Sequence, residues 1–214
     1  MSGIMLNVVG GTFGPAPPPA IGSAFGGGFF AGQISTGATG IADYNLVIGP
    51  LASAQSTLRW KTSTTGGDPS SPIDGPTNSA TMNSATYPAA EFCEGLTTGG
   101  FTDWYMPAQQ ELEVCYYNLK PTTGSNVTNY GINPYSVPAR ASNYTAGTPA
   151  QTSAASFQTG NSEAFSNNYY WSSTQNLSTN AFTLKFGGTQ PGDQYAATKT
   201  ITSYLVRAVR RVAV

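Results

Sequence analysis

Histidine is missing from all 214 residues, and its absence removes most of the chemistry a chain of this size could carry. Histidine is the side chain that exchanges protons near neutral pH. Without it, Ser-His-Asp and Cys-His nucleophilic sites cannot be assembled, nor can His-containing zinc sites. Carboxylate chemistry remains. The chain holds ten Asp and Glu, with close pairs at Glu91/Glu94 and Glu111/Glu113. The first pair falls on a predicted helix end and the second near a helix start, where acids complement the macrodipole. Neither reads as a general acid and base. In the late loops only Glu163 and Asp193 are acidic, a thin basis for paired-carboxylate cleavage of a polysaccharide. Cys93 and Cys115 are the only cysteines. They lack CxxC spacing and sit on apolar positions of predicted helices. They are expected as buried free thiols, with one bridge between neighbouring helices as the alternative. The sequence therefore predicts no enzyme, no catalytic residue, no metal and no cofactor.

The composition points to binding instead. Charged residues make up 9% of the chain, against about 25% in a typical soluble domain. The 3 Trp, 12 Tyr and 10 Phe supply core and contact material that disordered chains lack. The net charge of -1 gives no footprint for nucleic acid. Arg207, Arg210 and Arg211 form the one dense basic cluster and are expected to pair with carboxylates or to cover apolar surface with their stems. Met1–Gly11 lacks the basic start and apolar run of a signal peptide, and no stretch reaches the length of a membrane span. A surface-type composition without an export signal is the pattern expected of a virion component made in the host cytoplasm. The sequons at Asn126, Asn143 and Asn176 then carry no glycosylation meaning.

Positioning these residues requires the following elements. Residues 1–20 are Gly- and Pro-rich and predict an extended arm that orders only on a partner. Residues 21–214 predict a single α+β domain. Ala24–Ile34 reads as a glycine-softened strand carrying Phe25, Phe29 and Phe30, paired in a hairpin with Tyr44–Leu51. Leu58–Lys61 reads as a third short strand, and Thr62–Pro76 as loop. One helix follows Pro88 through Leu96, and a second opens at Pro107, with Ala108, Leu112, Cys115, Tyr116 and Leu119 on one apolar stripe. Residues 122–168 are turn-rich and long for a structureless stretch. Strands are expected at Tyr169–Ser173, at Ala181–Phe186 as a half-buried strand, and near Ile201–Val212.

GGFTDWYMPAQQELEVCYYNL (Gly99–Leu119), YWSST (Tyr170–Thr174) and VRAVRRV (Val206–Val212) occur in that order, and together they resemble the Lcl C-terminal domain family. The family is similar to C-type-lectin-like folds, so the resemblance implies such a domain, with two helices and short, mostly antiparallel strands. Its members occur in bacterial adhesins and phage structural proteins. Met106 stands where the family pattern has Leu. The related formylglycine-generating enzymes use C-terminal cysteines, and this chain has none after Cys115. The calcium motifs of true C-type lectins are absent too. The motif residues read as scaffold. Gly99 and Gly100 permit a tight reversal, Asp103 accepts local backbone hydrogen bonds, and Pro107 opens the helix. Trp104 and Trp171 anchor the core, and Ser172 and Ser173 satisfy nearby backbone groups. Arg207 reaches a carboxylate or carbonyls, leaving Arg210 on the opposite strand face.

In folds of this kind the loops between the late strands form a display face. Here they hold Asn167, Asn168, Tyr169, Tyr170, Gln175, Asn176, Gln190, Gln194 and Tyr195, the mix of adaptable amides and aromatic rings found on rigid binding surfaces. The expectation is a phage tail or fibre receptor-binding protein that recognises a host surface glycan or protein. The alternative is an architectural decoration or head/tail protein. Either would dock on other virion proteins through the arm and form a homo-oligomer, a trimer by analogy, without nucleic acid or membrane insertion.

Overall fold

Two five-stranded sheets share one closing segment. The computed structural model describes residues 17–214, so the predicted arm lies outside the described residues except for Pro17–Ala20. The first sheet contains β1 (Ala24–Phe25), β2 (Gly28–Ile34) and β3 (Tyr44–Ile48). A short helix, α1 (Leu51–Ala54), leads into β4 (Gln55–Thr57) of the second sheet. Three helices follow, α2 (Gly75–Thr81), α3 (Pro88–Glu94) and α4 (Gln109–Leu119). After them come β5 (Ser136–Val137), β6 (Tyr169–Leu177), β7 (Asn180–Lys185), β8 (Ala196–Thr198), β9 (Leu205–Arg207) and β10 (Val209–Ala213). The sheet orders are β1-β2-β3-β10, with β5 pairing β2, and β4-β9-β6-β7-β8. All pairs are antiparallel except β6 with β9. The chain is thus α+β and strand-dominated. No helix among the described residues is long and apolar enough to cross a membrane.

The predicted hairpin of Ala24–Ile34 with Tyr44–Leu51 is present as β2 and β3, but the structure departs from the sequence reading in several places. Ala24–Ile34 is two strands, because Gly26 and Gly27 both take positive φ (55° and 82°) and reverse the chain between Ala24–Phe25 and Gly28–Phe29. Leu58–Lys61 is not a strand; the strand lies just upstream, in β4. Its tryptophan supplies the link instead. Trp60 Nε1 donates to Ser172 O (2.8 Å) and Trp171 Nε1 donates back to Leu58 O (2.9 Å), so two indoles replace the ladder bonds. The Thr62–Pro76 loop ends early, where Asp74 caps α2 through Thr77 N–H. β7 is buried on both faces rather than half-buried: Ala181, Thr183 and Leu184 are all closed to solvent. Neither β8 nor the break at Ala208 was legible, and the single closing strand is two strands in different sheets.

Both predicted helices are present and bury most of their apolar positions, although α3 ends at Glu94 rather than Leu96 and leaves Phe92 and Leu96 half-buried. Ala108, Leu112, Cys115, Tyr116 and Leu119 are buried, as are Ala89 and Cys93. The two cysteines are free and buried. One core cluster joins α4 to Tyr170, Phe165 and Phe186. The other gathers Trp60, Trp104 and Trp171 with Ala89, Cys93 and Val206.

The irregular stretch after α4 is held by buried polar groups. Glu113, fully closed to solvent, accepts from Tyr144 Oη (2.6 Å) and Asn133 Nδ2 (2.5 Å) and pairs with Arg140. Lys120 Nζ donates to Gly124 O (2.6 Å) and Pro149 O (3.1 Å). Asn126 Nδ2 donates to the carbonyls of Thr145, Ala146 and Pro149. Lys120 and Asn126 thus satisfy carbonyls that have no ladder partner, while Glu113 ties together three side chains of the segment.

The closing segment carries three arginines, and each finds a different acid. Arg207 is fully buried; its Nη2 lies 2.6 Å from Glu163 Oε2, while Nε and Nη1 donate to the Gly49 and Glu163 carbonyls. Arg210 grips Asp103 with two bonds of 2.7 and 2.8 Å, so Asp103 serves an ion pair and not the local backbone bonds expected of it. Arg211 Nε donates to Glu111 Oε1 (2.8 Å). Glu111 Oε2 also accepts the Ala108 N–H (2.8 Å) and so caps α4.

Two outcomes follow for stability. Arg207→Met leaves Glu163 without its cation and the Gly49 carbonyl without its donor, and should cost about 3–5 kcal/mol in denaturant unfolding; a cost below about 1 kcal/mol would show the pair to be dispensable. Arg210 holds the Asp103 carboxyl below its ordinary 3.8. The folded value lies under the unfolded one of 3.8, so this pair's contribution is complete about a pH unit above the unfolded value and is lost as pH falls through the folded value. Unfolding midpoints of the wild type and Asp103→Asn should therefore differ by a constant amount above about pH 5 and converge as pH falls below it.

Candidate functional site

The expected contact residues are not all on loops, since Tyr169, Tyr170, Gln175 and Asn176 lie on β6, and the set falls at three depths. Asn167, Gln190 and Tyr195 are exposed, and Asn168, Tyr169, Gln175 and Asn176 are half-buried. Tyr170 and Gln194 are buried, which corrects their assignment to a contact surface. The strand alternation sends Tyr170 inward, where its ring packs on Phe165 and Phe186 and its hydroxyl donates to Gln55 Oε1 (2.9 Å). Gln194 Oε1 accepts from Gln109 Nε2 (3.1 Å). Gln175 is occupied as well: its Oε1 accepts from Lys199 Nζ (2.6 Å). That ammonium belongs to a buried cluster in which Asp68 is shared by Lys199, Lys61 and Tyr87, each at 2.6 Å. Burial pushes the Asp68 carboxyl up, but these donors outweigh it and hold the group below its ordinary value.

Tyr169 and Tyr195 meet, and they bring a third ring that the sequence reading missed. Tyr204 lies 5.0 Å from Tyr169, centroid to centroid, at an interplanar angle of 31°. Tyr195 flanks Tyr169 at 6.1 Å, and Trp171 backs Tyr204 from the core at 5.1 Å. Tyr204 sits in the stretch read as one long strand, and no local pattern marks it; only the pairing of β9 with β6 brings it beside Tyr169. The cluster is fixed by polar bonds. Tyr169 Oη donates to Asp193 Oδ2 (2.8 Å), Lys185 Nζ stands 5.2 Å from the Tyr169 ring centroid, and Asn168 Nδ2 donates to Ser203 O (2.8 Å). Burial and the Asp193 carboxylate push the Tyr169 phenol well up. Burial does the same to Tyr204, together with Tyr195 and Asp193. Tyr169 and Tyr204 are therefore held as neutral phenols. Tyr195, at 52% exposure, offers the most open surface of the group.

Elsewhere the reactive groups are engaged in structure. Burial pushes both thiols well up, Cys93 and Cys115 alike, which removes thiolate character. Burial also raises Glu111 and Glu113, yet each carboxylate is filled by donors from its own surroundings. No group of three or more His, Cys, Asp or Glu among the described residues is arranged to hold a metal. What the tyrosine cluster can do chemically is stack and hydrogen-bond: flat rings with a polar tip, held on a sheet at low entropic cost. The depth ordering is testable by unfolding. Tyr195→Ala should change stability by no more than about 0.5 kcal/mol, whereas Tyr170→Ala should cost about 3–5 kcal/mol.

Comparison with known proteins gives one family. The model described as the Lcl C-terminal domain matches residues 51–210, a span that runs from α1 to Arg210 and holds the Gly99–Leu119 turn-helix, the Trp171-Ser172-Ser173 strand and the arginines Arg207 and Arg210. No curated protein and no solved structure matches the chain significantly. The chain belongs to the Lcl C-terminal domain family.

Proposed function

From membership of that family, we propose that this chain is a virion attachment protein of C-type-lectin-like build, a phage tail or fibre component that recognises the host surface and acts by binding alone. The observation that carries this reading is the Tyr169–Tyr195–Tyr204 cluster, three adjoining phenol rings gathered beside β6 with an exposed member. Aromatic rings with hydroxyl tips are the groups that bind glycans and protein surfaces at small conformational cost. Asn167, Asn176 and Gln190 supply adaptable hydrogen bonds around it. The arm of residues 1–20 docks the protein on other virion components, and the working unit is a homo-oligomer, a trimer by analogy with other tail-tip proteins.

Adsorption tests the proposal. Purified protein should bind host cells and compete with phage adsorption. Tyr195→Ala, alone and with Tyr204→Ala, should weaken that binding about tenfold or more, as expected for aromatic anchors. Absence of both cell binding and competition by the wild type would refute the reading. Particle assembly that needs the protein, with adsorption indifferent to the tyrosines, would instead favour the architectural role.

A further inference from the structure

The strand order of the first sheet, β1-β2-β3-β10, leaves β10 with a strand on one flank only. β10 pairs with β3 in a register that sets Arg210 opposite Val47 and Val212 opposite Asn45. The bonds just beyond each end show which residues face β3: Gly49 N–H donates to Ala208 O (2.9 Å) and Val214 N–H donates to Asp43 O (3.2 Å). In an antiparallel pair the bonded positions alternate along the strand. Ala208, Arg210, Val212 and Val214 therefore turn their backbone groups to β3, and Val209, Arg211 and Ala213 turn theirs away. Val209 meets Tyr105 on that outer side, donating one bond and accepting another (3.0 and 2.8 Å). Arg211 and Ala213 meet no backbone partner there among the described residues.

Free strand edges are ordinarily guarded by lysine, proline, a bulge or a covering element. This edge is poorly guarded. Its register with β3 runs without a bulge, and Ala213 and Val214 are exposed. Both arginines of the strand are turned into the protein, on Asp103 and Glu111. The outward N–H and C=O groups of Arg211 and Ala213 continue the line of the Tyr105 bridge, which is the pattern an incoming strand pairs with.

The chain itself holds a segment that fits. Pro17, Pro18 and Pro19 line the same cavity as Ala213 and Val214, so the described residues begin beside the end of β10. Residues 1–16 lie outside the described residues, and their sequence contains one run with strand character. Ile4–Val9 (IMLNVV) is uncharged, rich in branched apolar side chains and as long as an ordinary strand. Gly10–Ala16 (GGTFGPA) separates it from the prolines and can span roughly 25 Å. Prolines 17–19 have no N–H with which to pair, but a proline run favours an extended, semi-rigid course. Such a spacer favours delivery of the run to a neighbour's edge over a reversal onto the strand it leaves.

We propose that Ile4–Val9 of one copy adds as a strand to the free edge of β10 in the next copy, bonding to Arg211 and Ala213. Head-to-tail donation of this kind can close into a ring. The inference rests on the attachment reading only for an arm that docks and a homo-oligomer, and it names a second copy of this chain as what the arm meets. Sedimentation velocity and amide hydrogen exchange on the purified full chain test it. The wild type should be an oligomer whose Arg211 amide exchanges about a hundredfold more slowly than an open edge amide. Leu6→Pro with Asn7→Pro removes a donor of the incoming strand whichever of its flanks faces β10. Ala213→Pro removes a donor of the receiving strand on the side away from β3, where an edge tolerates proline. Either change should raise the dissociation constant of the oligomer about tenfold or more and release the Arg211 amide. The arm variant lies outside the domain, so it decides the matter even where Ala213→Pro disturbs folding. A monomeric wild type would overturn the proposal, including one whose Arg211 amide is protected by its own arm. An oligomer indifferent to the arm variant would overturn it too. Host-cell binding by a monomer would leave the attachment reading standing and sink this inference alone, and an arm-linked oligomer that ignores host cells would do the reverse.

Discussion

A guanidinium with no access to water sets the terms for the rest of this fold. Arg207 stands at the end of β9, one residue before the chain changes sheets at Ala208. Its hydrogen bonds run to the Gly49 carbonyl at the exit of β3 and to Glu163 in the loop before β6. Glu163 in turn accepts the Leu51 N–H (2.7 Å) at the start of α1. One buried cation therefore ties together the place where the first sheet ends, the place where the second begins and the loop that feeds the central strand. Such a charge is tolerated only when every donor is met, so the surrounding backbone is held to one arrangement. Arg210 and Arg211 extend the same logic outward, to the Asp103 turn and to the cap of α4.

Those pairings explain how much could be read from the sequence. Periodic apolar spacing exposed α3 and α4, and short aromatic or apolar runs bounded by turn residues exposed β2, β3, β6 and β7, because burial writes directly into residue type. The motif arginines and acids were visible as residues, but their partners were not. Asp103 and Arg210 lie 107 positions apart, and nothing local distinguishes an acid that receives backbone bonds from one that receives a distant guanidinium. The same limit hid the tyrosine cluster. Tyr170 and Tyr169 are neighbours of equal type, and only the register of β6 decides that one enters the core and the other meets Tyr204.

The stretch between α4 and β6 shows a different route to order. It has almost no ladder, yet its backbone is not left unpaired. Glu113, Lys120 and Asn126, all buried, meet its carbonyls and side chains from the helix end and from within the segment. A polar side chain in such a place substitutes for a strand neighbour. Composition alone reads this segment as a loop because the residues that order it are the ones ordinarily found on surfaces. The first sheet illustrates a related point about boundaries: β1, β2 and β3 precede the family match, which begins at Leu51, yet β3 pairs with β10 along its whole length.

The ion pairs also turn the usual arrangement of charge inside out. Among the described residues, Lys61, Arg140, Lys199, Arg207, Arg210 and Arg211 are held in pairs with side chains at most 14% exposed, out of nine basic residues in the chain. The exterior keeps few cations, and with a net charge of -1 the field of the whole molecule at a distance is weak. A molecule built this way would meet any partner without long-range guidance, at the unsteered rates of about 10⁵–10⁶ M⁻¹s⁻¹. It also has little for dissolved salt to screen. Its encounters should run at much the same speed in fresh water and in brine.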